Sequence, residues 1–284
     1  MLPSVSDGAL LAAAAQQARG TIDVRWADLA LASALVLVAV AVSAWQRLGL
    51  ARGFVVGAVR AVLQLVAVGY VLVYVFATPR WWLVLLALAG MLVAATVTAT
   101  RRRSGRGENV DRRALWIISG TAMLLGAGLT LAYVTAIVLR VRPWYEPRYL
   151  IPLFGMIVGN AMNGAALAAE RLASEMETRR GEVEAYLALG AAPARAAAEP
   201  VRRALTAALI PAVNGLMVVG LVQLPGMMTG QILAGQSPLL AVRYQIMVAF
   251  MLAGATAATS AMVVLWYRRT FFTAAAQLAV RVPV

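Results

Sequence analysis

The chain has 284 residues, 62% of them apolar and only 13% charged, with a net charge of +13 and a strongly positive mean hydropathy, a balance that describes a polytopic membrane protein and excludes a soluble domain of this length. It contains no cysteine and no histidine, which rules out disulfides, Cys/His zinc sites, histidine-ligated haem and thiol nucleophiles. All 25 basic residues are arginine and most stand at the ends of apolar runs, so membrane topology accounts for them better than a nucleic-acid partner does.

Residues 1–25 form an alanine-rich amino-terminal extension in which Asp7 precedes Arg19 and no basic region precedes the apolar part, so a cleaved signal peptide is not expected. The first span runs from about Trp26 to Trp45, close to the ~20 residues that a bilayer core requires. After a loop with Arg47 and Arg52, the second covers about Phe54 to Ala77 and holds Arg60. Trp81 and Trp82 open the third span as an interfacial belt, and it ends at Thr100. The loop Arg101 to Arg113 carries six arginines against Glu108 and Asp111 and is assigned to the cytoplasm.

The fourth span is about Leu115 to Leu139, followed by the outer loop RVRPWYEPRY. The fifth begins near Leu150 and continues past Ala169 into a charged cytoplasmic segment. The sixth is about Ala204 to Leu224 and the seventh about Ile246 to Tyr267, closed by Arg268 and Arg269. The stretch Pro225 to Arg243 is left open as an outer helix, a loop or a re-entrant segment. The expected fold is therefore all-α: a transmembrane helical bundle of about seven spans over 26–269, amino terminus outside, with a cytoplasmic tail at 270–284. In this orientation most arginines lie inside, as the positive-inside rule demands.

The one long polar interruption of the second half is the cytoplasmic loop at about 170–203, centred on EVEAYLALGAAPARAAAEPVRRALTAALIP (182–211). A helix over Glu184 to Leu189 turns at Gly190, and Pro193 sits where the first turn of a second helix tolerates it. This unit is either a rigid lever or an ordinary helical hairpin. Arg179, Arg180, Arg195, Arg202 and Arg203 surround it, as docking charges or as topological and headgroup contacts.

Four polar groups lie at membrane depth. Arg60 and Gln64, four residues apart, share a helix face that either enters the bundle or lets Arg60 snorkel to the interface. Met156, Asn160 and Asn163 form a stripe beside Gly155 and Gly159 in a GxxxG arrangement, which suits close helix packing or a substrate path. Pro211 and Asn214 stand a turn apart, where a buried amide would satisfy the carbonyl that proline frees. Gln223, Met227, Met228 and Gln231 line an outer vestibule or pack.

The loop resembles the EAA-type coupling loop of ABC permeases, with Glu184 and Gly190 on the motif's acid and glycine. Four longer strings carry a more specific likeness: RAVLQLVAVGYVL (60–72), IPLFGMIVGNAMN (151–163), ALGAAPARAAAEPVRRALTAALIP (188–211) and VGLVQLPGMMTGQILAGQSPLLAVRYQIMVAFM (219–251). Over roughly Trp26 to Arg269 the chain resembles the FetB/YbbM family of ABC permeases. The resemblance implies a multi-pass subunit of a bacterial inner membrane, exporting iron, paired with itself because ABC transporters need two membrane halves. It also implies a separate cytoplasmic ATPase that binds the ATP and Mg. A plant relative similar to this family is linked to aluminium tolerance and to UDP-glucose transport, so a sugar nucleotide or other anionic solute is the alternative cargo.

The residues agree that ATP hydrolysis belongs to a partner, because the chain has no lysine and no GxxxxGK[ST] loop. No cofactor is assigned to this chain. A tight site for bare iron needs carboxylate, imidazole or thiolate ligands, whereas Asp28, Glu146 and Glu170 sit at membrane edges, so the metal ligands are unknown. Iron is then expected to bind weakly or to move as an anionic complex. A secondary transporter would need an intramembrane ionisable relay beyond Arg60. An enzyme would need acid, base or nucleophilic groups that the spans do not hold.

Overall fold

The computed structural model describes residues 25–78, 80–101 and 112–279. The amino-terminal extension, most of the arginine-rich loop after the third span and the last five residues of the tail lie outside the described residues. Among the described residues, seven helices are long and apolar enough to cross a membrane. The chain divides into two units, residues 1–77 with 230–237, and residues 78–229 with 238–284.

The first unit is a helical hairpin of α1 (Trp26–Trp45) and α2 (Ala51–Ala77), which pack on each other. Asp28 closes the start of α1 by accepting the Arg25 backbone N–H at 2.9 Å, an acid where the helix dipole favours one. The five-residue turn between the helices holds Arg47 and Gly49 at φ of 50° and 70°. Ser43, 2% exposed, fixes it by accepting the Leu50 N–H at 3.1 Å. The sequence boundary at Phe54 was three residues late, because Arg52 and Gly53 are carried in the first turn of α2.

The second unit is built around α5 (Pro147–Thr178), which packs against α3 (Trp81–Arg101), α4 (Arg112–Tyr133), α8 (Ala198–Val218) and α10 (Pro238–Tyr267). Small residues explain its central place: Ala161, Gly164, Ala165, Ala168 and Ala169 lie among its buried positions and let neighbouring helices approach closely. Helix α4 ends in a π-helical turn, Val134–Val138. Three short helices complete the unit: α6 (Arg180–Ala188), α7 (Pro193–Ala196) and α9 (Gly226–Leu233), whose last residues group with the first unit.

Three expectations about boundaries are corrected here. The sixth span is Ala198–Val218 rather than 204–224, because Gly220 at φ 84° and the Val218 to Gln223 turn stop the helix while the apolar run continues. The seventh starts at Pro238, where proline's fixed φ suits a first turn, rather than at Ile246. The stretch Pro225 to Arg243 is neither one loop nor one helix. It comprises α9, a turn with Gly235 at φ 87°, and the first turns of α10.

Candidate coupling and translocation sites

The lever is stapled together by short-range charge pairs. Helix α5 yields to α6 through the single residue Arg179, which leaves helical geometry at φ −102° and ψ 22°. Its guanidinium bridges that break, donating from Nε to Glu175 at 3.2 Å and from Nη1 to Glu182 at 2.7 Å. Burial works against this charge, but the hydrogen bonds and attraction of Glu182 and Glu175 prevail and hold Arg179 above its ordinary pKa. Arg180 donates to Glu184 at 2.8 Å, while Arg202 and Arg203 both hold Glu199, at 2.9 and 2.8 Å.

Helix α6 ends in a Schellman motif. Gly190 at φ 81° donates to Leu187 O and Ala191 donates to Tyr186 O, both at 2.9 Å. Pro193 then opens α7, as its spacing from the glycine led one to expect. Exposed ion pairs of this kind contribute about 0–1 kcal/mol each, so the apolar side of the lever does more to hold it. Val183, Ala196, Ala197 and Val201 are 9% exposed or less and join one continuous core with Leu172, Met176, Tyr267 and Phe271.

The arrangement redistributes the candidate residues. Glu184 and four of the five arginines are engaged with groups of the lever itself, leaving Arg195 as the member of the set without an ion pair among the described residues. What the lever offers outward is its apolar tip, Leu189 at 85% exposure with Tyr186 beside it. Glu175 and Glu199 were missed at the sequence level, although their spacings of three and four residues from arginine were readable there.

The polar groups at membrane depth fall in different places. Arg60 and Gln64 share an α2 face with Val56, Val59, Leu63 and Ala67, all in the first unit. In the second unit Asn160 is exposed and donates to Met156 O at 2.9 Å, and Asn163 is exposed a turn further on. The GxxxG pair is divided: a Cβ on Gly155 would stand 2.9 Å from Met91 Cε of α3, whereas Gly159 faces open space. Pro211 and Asn214 are exposed, so the buried-amide expectation is corrected: α8 continues through Pro211 without a buried side chain at Asn214. Gln223 lies in the exposed turn after α8, Met227 packs against the core of the second unit, Met228 is half-buried, and Gln231 has a buried, unpartnered Oε1.

A row of buried hydroxyls on α10 has no counterpart among the expectations from sequence. Thr259 and Ser260 are fully buried, and their oxygens lack partners. They seat on glycines of two other helices: a Cβ on Gly126 of α4 would overlap Thr259 Oγ1, and one on Gly164 of α5 would stand 2.7 Å from both Ser260 Oγ and Thr256 Cγ2. Alanine at those positions is excluded by contact, not by backbone conformation. Because a buried hydroxyl without a partner costs about 1–3 kcal/mol, Ser260→Ala is expected to leave stability unchanged or raise it by up to about 1 kcal/mol. Thermal unfolding in detergent checks this, and a clear loss of stability would mean that the hydroxyl has a partner in the folded protein.

Among the described residues no three acidic, histidine or cysteine side chains come together.

Comparison with known proteins places the chain. It is 43% identical to a membrane protein of Synechocystis, slr1647, over 88% of this chain and 95% of that one. It is 41% identical to the rice membrane protein STAR2, over 87% of this chain and 84% of the relative. It is 36% identical to the Escherichia coli protein named "Probable iron export permease protein FetB", over 89% of this chain and 94% of the relative. No solved structure matches it. The family model that matches covers residues 26–272, from the first turn of α1 to the residue after Phe271, and the chain belongs to the family it describes, the uncharacterised protein family UPF0014.

Proposed function

We propose that the chain is the membrane permease subunit of an ABC transporter in a bacterial inner membrane. It works as a homodimer and is driven by a separate cytoplasmic ATPase that docks on the lever at 182–203 and supplies the ATP and Mg. The carrying observation is the lever itself, a closed helix, Schellman turn and helix rooted in α5 and α8 that presents Leu189 and Tyr186 outward. A linker would not be fixed by a left-handed glycine and a buried apolar face. FetB, 36% identical over nearly its whole length, is named for iron export, and this supports iron as the cargo.

The form of the cargo follows from the donors. Arg60 would repel a bare cation, and the amide stripe at Met156, Asn160 and Asn163 carries no charge to offset one. Iron therefore moves as a complex with an anionic ligand, for which Arg60 and Gln64 in the first unit and the stripe in the second are each candidate contacts. The same chemistry favours a second cargo class, a sugar nucleotide or another anionic solute. The open face at Gly159 is the side of α5 left for a second copy, since Gly155 is taken up by Met91.

The test is ATP hydrolysis by the chain with its ATPase in lipid, titrated in separate runs with ferrous iron, iron chelates and UDP-glucose. Stimulation by chelates above that by ferrous iron supports the reading. Stimulation by free ferrous iron alone, with a tight site in the membrane domain, overturns the anionic-complex assignment.

A further inference from the structure

The lever's buried face does not end on the two spans that flank it in sequence. Val183 of α6, Ala196 of α7 and Ala197 and Val201 at the start of α8 share one continuous apolar core with Tyr267 and Phe271. These two residues terminate the last span. Tyr267, 1% exposed, closes α10, and Phe271, 5% exposed, closes the 3-10 turn Arg268–Phe271. Their rings meet edge to face at 5.1 Å and 78°, a geometry that fixes one ring against the other.

The chain then folds back to reinforce the contact. Thr273 N–H donates to Gln277 O and Ala279 N–H to Phe271 O, each at 2.8 Å, which returns Leu278 to the same core beside Phe272. Beyond the joint, α10 is one uninterrupted helix of 30 residues that packs on α4, α5 and α8. A rigid helix clamped at its cytoplasmic end transmits displacement of that end along its length.

Resting on the permease reading above, we propose that Tyr267 and Phe271 are positioning residues that couple the lever to α10, so that ATPase closure moves the last span together with α5 and α8. The physical reason is close packing. Val183 and the Tyr267–Phe271 pair lie in one buried core, and close-packed cores are displaced as a block rather than deformed. Spans five and six receive the push through the backbone and pass it to α10 along their packed faces, whereas the end of α10, remote in sequence, is joined to the lever itself by these side chains.

Because the chain is free of cysteine, single reporters are unambiguous. Phe250→Cys, on the exposed side of α10, and Glu170→Cys, on the exposed side of α5, are compared in the lipid-embedded complex with its ATPase. Each cysteine is spin-labelled in detergent before reconstitution, and the tumbling rate of the label is measured without nucleotide and with ATP and vanadate. In the otherwise unchanged chain both rates are expected to change by at least about threefold. Tyr267→Ala is expected to cut the change at position 250 at least about threefold and to leave that at 170, while Tyr267→Phe, which keeps the ring, retains both. If Tyr267→Ala does not fold, Phe271→Leu, which keeps apolar volume and loses the ring contact, is expected to cut the response at 250 at least about threefold.

A response at 250 that survives both ring-removing variants overturns the proposal, and so does a response confined to 170 in the unsubstituted chain. Silence at both positions, or no association with an ATPase, overturns the permease reading itself and the proposal with it.

Discussion

Gly190→Leu is expected to abolish ligand-stimulated ATP hydrolysis by the partner, by at least about tenfold, while the protein still inserts into the membrane. Gly190 occupies the left-handed region at φ 81°, and its N–H together with that of Ala191 makes the two hydrogen bonds that close α6. A side chain there costs about 1–2 kcal/mol in conformation alone, enough to favour an alternative turn that swings α7 away from its seat. Among the described residues nothing lies within 4 Å of a Cβ at this position, so within the isolated subunit alanine and leucine should cost the same. In the complex they should differ, because leucine projects into space that the proposed ATPase would occupy. Asparagine, which tolerates the left-handed region, should be milder than either. Stimulation that survives Gly190→Leu with normal coupling would remove the lever from the mechanism.

The largest effect on stability is expected from Gly126→Ala. The new methyl group would overlap Thr259 Oγ1 and stand 3.2 Å from the Thr259 backbone nitrogen, so a rotamer change alone does not clear it. Overpacking of a filled core costs about 1–3 kcal/mol, which should appear as a lowered thermal midpoint in detergent. Thr259→Ala should recover part of the loss in the double variant by removing the nearest atom. Gly128→Ala, two residues along α4 with no neighbour within 4 Å, is the matched control and should be neutral or slightly stabilising, since alanine is the better helix former. Equal behaviour at 126 and 128 would contradict the close approach of α4 and α10.

How far the sequence could be read depends on the range of the forces involved. The first span, Trp26–Trp45, was legible because aromatic residues mark both of its ends, and α3 likewise because Trp81 opens it. The lever's turn was legible because a glycine followed by proline three residues later has a local conformational cause. The sixth span was misplaced at both ends for equally local reasons. Its start is an alanine-rich run whose helicity exceeds its hydropathy, and its finish is decided by Gly220, which a hydropathy profile does not register.

The candidate sites were less legible. The glutamates that engage Arg179, Arg202 and Arg203 stand three or four residues away and were within reach of a helical-face argument. The seating of Thr259 on Gly126, of Ser260 on Gly164, and of the lever on Tyr267 and Phe271 joins segments far apart in the chain. Composition marks such residues only as small or aromatic. Which partners they meet is settled by tertiary packing, to which no local period points.

The central claim is that the tip of the lever is where the ATPase docks, and the chain's lack of cysteine makes this directly measurable. Leu189→Cys, at the 85% exposed tip, and Leu221→Cys, at the 89% exposed turn after α8, would each be treated with a short bifunctional cross-linker in the membrane-embedded complex. The account predicts that position 189 captures the ATPase and position 221, on the opposite side of the membrane, does not. Capture at 221, or none at 189 in a complex that hydrolyses ATP, would contradict it.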